Sequence, residues 1–158
     1  MCQDQDNTEA YLDIETTGLS FADSMVTVVS ICICNGEDKR VIQLLESLEG
    51  VSIIHTYNGS RFDLPFIHAC LGIDLNRIFP HRDLMYDCWR NKLYGGLKAV
   101  ERQLGIERCL KDMDGYEAVR LWWRYVDFFD LDALDKLLEY NREDVVNLKA
   151  LKARLLNC

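Results

Sequence analysis

The chain has 158 residues, of which 49% are hydrophobic and 28% are charged, so it is long enough for one domain with a buried core and too hydrophobic to be disordered. Its net charge of -8 argues against a protein that holds nucleic acid through a strongly basic surface. The first residues are acidic, unlike a secretory signal, and no apolar run reaches the roughly 18 residues of a membrane helix. We therefore expect a soluble, cytoplasmic protein that makes no membrane contact.

Strand patterns dominate the first third of the chain. Alternating or β-branched segments cover residues 10–14, 25–34, 40–44 and 51–56. Asn35-Gly36, between the second and third of these segments, is typical of a tight hairpin turn.

Helical spacing dominates the rest. It predicts helices over residues 61–71, 97–104, 116–125 and 131–156, with Gly105 as a C-terminal cap. Strands with an early hairpin, followed by helices, predict an α/β fold with a mixed β-sheet flanked by α-helices. Because the chain has no repeat, linker or low-complexity tract, we expect a single domain over residues 1–158, with its core at about 10–155.

Two acidic residues stand close together on the first predicted strand. Asp13 and Glu15 are two positions apart, so their side chains point to one face while Leu12 and Ile14 point to the other. Neighbouring carboxylates repel one another, and a divalent cation with oxygen ligands, Mg²⁺ or Mn²⁺, removes that repulsion. The alternative is a solvent-exposed strand end that carries acids by chance.

A third acid lies on the long final helix. An apolar stripe on this helix contains Leu137, Asn141, Asp144, Leu148, Leu151 and Leu155. An unpaired carboxylate at Asp144 is costly there, which predicts a partner. Tyr140 lies one turn earlier on the same side of the helix. It could orient a water molecule together with Asp144, or it could be a core residue. Glu143 is expected to point elsewhere, into solvent.

Residues 58–63, Asn-Gly-Ser-Arg-Phe-Asp, follow a predicted strand, make a glycine turn and open a helix. Asp63 would lie in the first turn, where the helix dipole favours a carboxylate. That preference alone explains an acid at this position, without any functional role.

These three segments, in this order, resemble the exonuclease motifs of the DEDD superfamily, which has the ribonuclease H-like fold. The first is residues 13–19, Asp-Ile-Glu-Thr-Thr-Gly-Leu, the second is residues 58–63, and the third is residues 140–144, Tyr-Asn-Arg-Glu-Asp. The spacing of Tyr140 and Asp144 is similar to that of the tyrosine branch. Residues 96–101, 114–119 and 138–144 further resemble the YprB-type ribonuclease H-like family, and the resemblance extends from about residue 10 to about residue 155.

The resemblance implies a metal-dependent 3′-5′ exonuclease that hydrolyses phosphodiester bonds at single-stranded nucleic-acid ends. Asp13, Glu15, Asp63 and Asp144 would hold two divalent cations, Mg²⁺ or Mn²⁺, and Tyr140 would orient the attacking water. Phosphodiester hydrolysis builds charge on the attacking and leaving oxygens, and two cations stabilise both. A phenol is a poor base near neutral pH, so Tyr140 is assigned to positioning.

By the same resemblance, seven residues would contact the nucleic acid: Thr16, Thr17, Leu19, Asn58, Phe62, Lys98 and Arg102. The two threonines would bind the terminal 3′-hydroxyl, Leu19 and Phe62 would contact bases, and Lys98 and Arg102 would contact phosphates. Core packing is the alternative for Leu19 and Phe62. Residues 82–111 carry seven basic and four acidic residues, so this segment could approach phosphates or form an ordinary solvated surface.

Two other classes stay open: a non-catalytic ribonuclease H-like module that binds nucleic acid or protein, and an endonuclease. The choice between DNA and RNA and the need for a protein partner are not determined by the sequence. A dense aromatic group is expected to form core between a helix and the sheet: Trp122, Trp123, Tyr125, Phe128 and Phe129.

Overall fold

The computed structural model describes residues 8–20, 22–34, 45 and 48–156. The predicted strand at residues 40–44 and the predicted turn at Asn35-Gly36 lie outside these residues. All architecture below refers to the described part of the chain.

A four-stranded mixed sheet forms the centre of the fold. Its strands are β1 (Glu9–Thr16), β2 (Val26–Cys34), β3 (Ile53–Thr56) and β4 (His81–Asp83), in the spatial order β2-β1-β3-β4. β1 pairs antiparallel with β2 and parallel with β3, and β3 pairs parallel with β4. The carboxyl ends of β1, β3 and β4 therefore meet at one edge of the sheet.

Six helices accompany the described strands. They are α1 (Asp63–Leu71), α2 (Leu75–Ile78), α3 (Leu84–Arg90), α4 (Leu97–Leu104), α5 (Gly115–Phe128) and α6 (Leu131–Leu155). The prediction of α4 is confirmed at both ends, and Gly105 caps it in the left-handed conformation at φ 66°. Glycine adopts this conformation without the steric cost that a side chain brings.

Alternation along β1 divides the core into two faces. Leu12 and Ile14 are buried with α1 residues such as Phe66, whereas Tyr11 is buried on the opposite face with α6 residues such as Leu148. Burial of these apolar side chains stabilises each layer. The predicted α/β fold with helices on a mixed sheet is confirmed.

Two expectations differ from the structure. β4, α2 and α3 were not predicted, since elements of three to seven residues carry too little periodicity to be recognised.

The aromatic group is only partly core: Trp122 packs against buried residues, but Phe128 and Phe129 are 77% and 81% exposed where α5 turns into α6. The turn projects these two rings away from the sheet.

Within the described residues, no helix combines the length and the apolar content that crossing a membrane requires.

Candidate active site

The site is built at the carboxyl end of β1. Asp13 pairs with Ser30 and Glu15 pairs with Val28 of β2, and the register shifts between Glu15 and Thr16. A shift of this kind ends regular pairing and redirects the chain, as is common beside functional sites. Because side chains alternate along a strand, those of Asp13 and Glu15 point to the same face as Tyr11, which is the face that α6 covers.

Three carboxylates meet between β1 and α6. Each of Asp13, Glu15 and Asp144 offers one oxygen, and these oxygens lie within 4.8 Å of one another. Asp144 is only 6% exposed, because the apolar stripe of α6 packs against the sheet on either side of it. The set consists of hard oxygen donors at the spacing of a cation site, which suits Mg²⁺ or Mn²⁺.

Asp63, the fourth predicted acid, is the first residue of α1 and is buried beside this cluster. Its Oδ1 accepts a hydrogen bond from the backbone N–H of Ile14 at 3.1 Å, which fixes α1 to β1. The structure therefore brings three of the four predicted metal ligands together and turns one oxygen of the fourth toward the backbone.

Burial makes these acids hard to ionise. It raises the pKa of Asp63 to about 7, and burial followed by the nearby charges of Asp63 and Glu15 raises the pKa of Asp13 well above its usual range. Burial also raises the pKa of Glu15 to about 7, although the Lys98 ammonium opposes this rise. A group of mutually repelling carboxylates needs positive charge to be stable at neutral pH.

Lys98 supplies one such charge. Its Nζ donates to the Tyr140 hydroxyl at 2.7 Å and to the Met113 carbonyl, and it lies 4.4 Å from the Tyr140 ring centroid. Burial, followed by the charges of Glu15 and Asp13, raises the pKa of Tyr140 above its usual range. Tyr140 is therefore a neutral phenol that accepts from Lys98 and keeps its own O–H proton to donate.

Arg108 supplies the second charge and was not predicted. It lies between α4 and α5 with its side chain 7% exposed, and it contacts Asp144 through Nη2 and Glu101 through Nε at 2.7 Å. In the sequence, Arg108 is one base in a segment of mixed charge. Only the long-range packing of that segment against α6 shows its role.

Glu143 differs from its expected solvated position. Its carboxylate accepts hydrogen bonds from the backbone N–H groups of Cys109 and Leu110. The prediction was wrong because the chain that follows α4 folds over α6 and covers this residue. Asn141, fully buried on the predicted stripe, donates to Asp13 Oδ2 at 2.5 Å and so orients that carboxylate.

The second predicted motif forms a loop fixed by Asp83. Asp83 accepts from the backbone N–H groups of Asn58 at 2.8 Å and Ser60 at 3.0 Å, and from the Ser60 hydroxyl at 2.7 Å. Asn58 has a φ of 64°, and a side-chain Cβ at Gly59 would lie 2.2 Å from Thr56 Oγ1. This tight turn sets the direction from which α1 presents Asp63.

A cleft of about 450 Å³ opens beside the acids. It is lined by Asp13, Lys98, Arg102, Tyr140 and Asp144, among others. Lys98 and Arg102 therefore lie at the cleft, but Nζ of Lys98 is directed at Tyr140. Two basic side chains therefore lie in the cleft beside the carboxylates.

The other predicted contact residues lie around the motifs. The Thr16 hydroxyl donates to the Gly18 carbonyl at 2.6 Å, and the Thr17 hydroxyl accepts from the Met25 N–H at 3.0 Å, so both help to hold the loop after β1. Leu19 is 86% exposed at the tip of that loop, unlike a core residue. Phe62 is half-buried and packs against Phe66, with ring centroids 4.9 Å apart.

Two comparisons place this architecture among known proteins. The chain is 28% identical over 170 aligned positions to the uncharacterized protein YprB of Bacillus subtilis (strain 168), across 92% of this chain and 41% of YprB. Its fold is similar to that of a family B DNA polymerase from the hyperthermophilic archaeon Pyrobaculum calidifontis, with a TM-score of 0.71 and 17% identity. That similarity covers 94% of this chain and 24% of the polymerase, so the chain spans less than half the length of either protein.

A family assignment covers nearly the whole chain. Residues 10–156 match the RNase_H_2 family, which is part of the RNase H superfamily. The match contains β1 with Asp13 and Glu15, and α6 with Asp144. The chain therefore belongs to the RNase_H_2 family of the RNase H superfamily.

Proposed function

We propose that this protein is a metal-dependent 3′-5′ exonuclease that acts on single-stranded nucleic-acid ends. The observation that carries the proposal is the convergence of Asp13, Glu15 and Asp144 within 4.8 Å, beside a neutral Tyr140 that lines the same cleft. The superfamily supports a nucleic-acid substrate, and the motifs described above support the exonuclease reaction.

Asp13, Glu15 and Asp144 would hold the first divalent cation, Mg²⁺ or Mn²⁺, and Asp63 would complete a second position with the oxygen that does not accept from Ile14. Bound cations would supply a more acidic water and would neutralise charge on the reacting phosphate. Asn141 serves this set by holding Asp13 in one orientation.

Tyr140 acts as a positioning group in the proposed reaction. Its oxygen accepts from the Lys98 ammonium, so its own O–H remains available to donate to a water or a phosphate oxygen in the cleft. Because burial and the neighbouring carboxylates keep the phenol protonated, it does not remove a proton from water.

The cleft gives the substrate a direction. Arg102 lines the cleft and is exposed, which suits contact with a phosphate away from the reacting bond. Leu19 and the loop that carries Thr16 and Thr17 would contact the terminal nucleotide on the opposite side, and Asn58 and Phe62 would form a second wall. A single strand fits this arrangement, since the terminal base must leave its stack to reach the acids.

The test uses 5′-labelled single-stranded DNA and RNA of matched sequence, incubated with Mn²⁺, Mg²⁺ or EDTA. We expect a ladder that shortens from the 3′ end, that is absent in EDTA, and that falls at least about 1,000-fold in rate for Asp144→Asn. Asp135→Asn, on the exposed side of the same helix, is the matched control and retains the wild-type rate.

Three results would contradict the proposal. Full activity of Asp144→Asn would remove the assigned site. Cleavage of a circular single strand would indicate an endonuclease. Intact substrates in every lane, from protein that is folded by circular dichroism, would favour the non-catalytic binding module.

A further inference from the structure

Two segments beside the cleft contain basic residues and no acidic ones. Residues 57–62 contain one basic residue, Arg61, and residues 88–100 contain three, among them Lys92. Among the residues that the structure describes, neither Arg61 nor Lys92 forms an ion pair. In a chain with a net charge of -8, this exposed positive charge suits a negatively charged partner outside the fold.

Contacts between the two segments join them into one surface that continues from the cleft. The Tyr57 hydroxyl donates to the Gly95 carbonyl at 2.6 Å, and Tyr57 itself lines the cleft. The Arg61 guanidinium lies 5.9 Å from the centroid of the Trp89 ring, which is within the range of a cation–π contact. Trp89 is 38% exposed, and Tyr94, next to Gly95, is 62% exposed. Exposed aromatic rings therefore lie on the same surface as the basic side chains.

The backbone that carries Lys92 and Tyr94 is fixed by hydrogen bonds. The Leu93 N–H donates to the Cys88 carbonyl at 2.9 Å, and the Gln103 side-chain amide donates to the Tyr94 carbonyl at 2.9 Å. A backbone that is already ordered loses little conformational freedom when a ligand binds to its side chains. This segment is therefore suited to present its side chains to a ligand.

Lys92 occupies a position that favours glycine. It follows the C-cap of α3 and has a φ of 60°, in the left-handed region. Glycine is the usual residue at this position, because it has no side chain to clash in this conformation. Local strain of this kind is common at sites that bind ligands. The exposed lysine is thus unfavourable for the backbone, and no ion pair within the described part of the chain compensates for it.

This combination of side chains favours a single strand of nucleic acid over an acidic peptide. A single strand offers phosphates to basic side chains and base faces to aromatic rings. An acidic peptide would use the positive charges but would leave the rings of Trp89 and Tyr94 without planar groups to stack on. Arg102, which lines the cleft, lies on α4, the helix that follows Tyr94 in the chain.

We propose that Arg61, Trp89, Lys92, Tyr94 and Arg102 form an upstream surface, which binds the nucleotides on the 5′ side of the terminal one. The rings of Trp89 and Tyr94 stack on bases, and the three basic side chains contact phosphates. The inference rests on the proposed function, for which it identifies how the strand is held beyond the reacting nucleotide.

The experiment measures the fluorescence anisotropy of labelled oligo(dT) and oligo(rU) of about 20 nucleotides, titrated with the whole chain in EDTA, so that no metal-dependent hydrolysis occurs. Tyr94→Ala is expected to raise the Kd at least about fivefold, since stacking on one base is lost. Tyr94→Phe keeps the ring and is expected to bind like the wild type. Tyr116→Ala removes another exposed tyrosine, at the start of α5, and is the matched control that leaves the Kd unchanged.

Lys92→Gly separates binding from folding. In urea denaturation it is expected to be at least as stable as the wild type, because glycine tolerates the left-handed conformation. It is expected nevertheless to raise the Kd and to reduce the slope of log Kd against log salt concentration by about 0.7, which corresponds to one lost phosphate contact on a single strand. Lys149→Ala, which removes an exposed charge on α6, is the control and is expected to leave this slope unchanged.

The outcomes separate this inference from the proposed function. Wild-type Kd values for both Tyr94→Ala and Lys92→Gly would overturn the upstream surface, even if the nuclease assay showed shortening from the 3′ end. It would also be overturned if the wild type bound neither oligonucleotide, or bound labelled polyglutamate more tightly than both. Weaker binding in both variants, with unchanged controls, would support the upstream surface even if the nuclease assay showed no hydrolysis.

Discussion

Asp83 and Asp13 lie near the carboxyl ends of two parallel-oriented strands, β4 and β1, but their surroundings are opposite in kind. Asp83 accepts from four neutral donors, namely the N–H groups of Asn58, Ser60 and Met85 and the Ser60 hydroxyl. Asp13 accepts from Asn141 and is crowded by Glu15, Asp63 and Asp144, with the cations of Arg108 and Lys98 close by. A carboxylate whose oxygens are filled by neutral donors organises a fold, whereas one crowded by other carboxylates is suited to hold a cation.

The largest effect on stability is expected from Asp83→Asn. The amide nitrogen replaces one carboxylate oxygen and cannot accept, so at least one of the backbone N–H groups of Asn58, Ser60 and Met85 is left without an acceptor. We expect a loss of about 2–4 kcal/mol in the free energy of unfolding, measured by urea denaturation in EDTA.

Asp112→Asn, at an exposed position, is the control for Asp83→Asn and is expected to change the free energy of unfolding by less than about 0.5 kcal/mol. Equal stability of Asp83→Asn and the wild type would mean that the four hydrogen bonds do not hold the loop at Asn58.

The corresponding change of a carboxylate to an amide in the acidic cluster is expected to increase the free energy of unfolding. The pKa of Glu15 is about 7 in the folded protein against an ordinary value of 4.5, mainly because of burial. Between pH 4.5 and pH 7 the folded state binds more protons than the unfolded state. The stability that protonation of Glu15 contributes is therefore lost as the pH rises from 4.5 through 7. Glu15→Gln, which does not ionise, is expected to be more stable than the wild type by about 1–3 kcal/mol at pH 8 in EDTA, and equal to it at pH 4.

The difference between wild type and Glu15→Gln isolates this titration from that of His55. Burial lowers the pKa of His55 to about 4, so its own contribution to stability falls as the pH falls from 6.5 toward 4, but it is common to both proteins. Urea denaturation at pH 4, 6 and 8 is the measurement. A difference that does not change with pH would show that Glu15 is not held in its protonated form.

The smallest effect on stability is expected from the loss of a single hydrogen bond to Asp83. Ser60→Ala removes the hydroxyl that donates to Asp83 Oδ2 but keeps the backbone N–H that donates to the same oxygen. We expect a loss of about 0.5–1.5 kcal/mol, which is well below that of Asp83→Asn. A loss as large as that of Asp83→Asn would show that the hydroxyl, and not the carboxylate as a whole, holds the loop.

The sequence predicted the parts of the site that lie in regular secondary structure, where side-chain directions repeat at a fixed spacing. Strand alternation placed Asp13 opposite Leu12, and helical spacing placed Asp144 on the buried stripe of α6. Both depend only on neighbours within a few residues, so local pattern was enough.

The parts that were not predicted depend on distant contacts. Arg108 and Asp144 are 36 positions apart, and β4 is only three residues long, yet it brings Asp83 to Asn58. No local signal distinguishes Arg108 from the other bases of its segment, because its burial is decided by where the chain after α4 meets α6. Phe128 and Phe129 show the same limit, since the turn between α5 and α6 determines their exposure.

The hydrogen bond between Asn141 and Asp13 joins residues 128 positions apart, which has a consequence for how the molecule forms. Until α6 docks, Asp13 and Glu15 are at the open end of a strand and are solvated by water. The docking of α6 brings Asp144 to Asp13 and Glu15 and so adds to the repulsion between these two neighbouring carboxylates. A divalent cation would relieve that repulsion, so the ion proposed for the reaction would also favour the docking of α6.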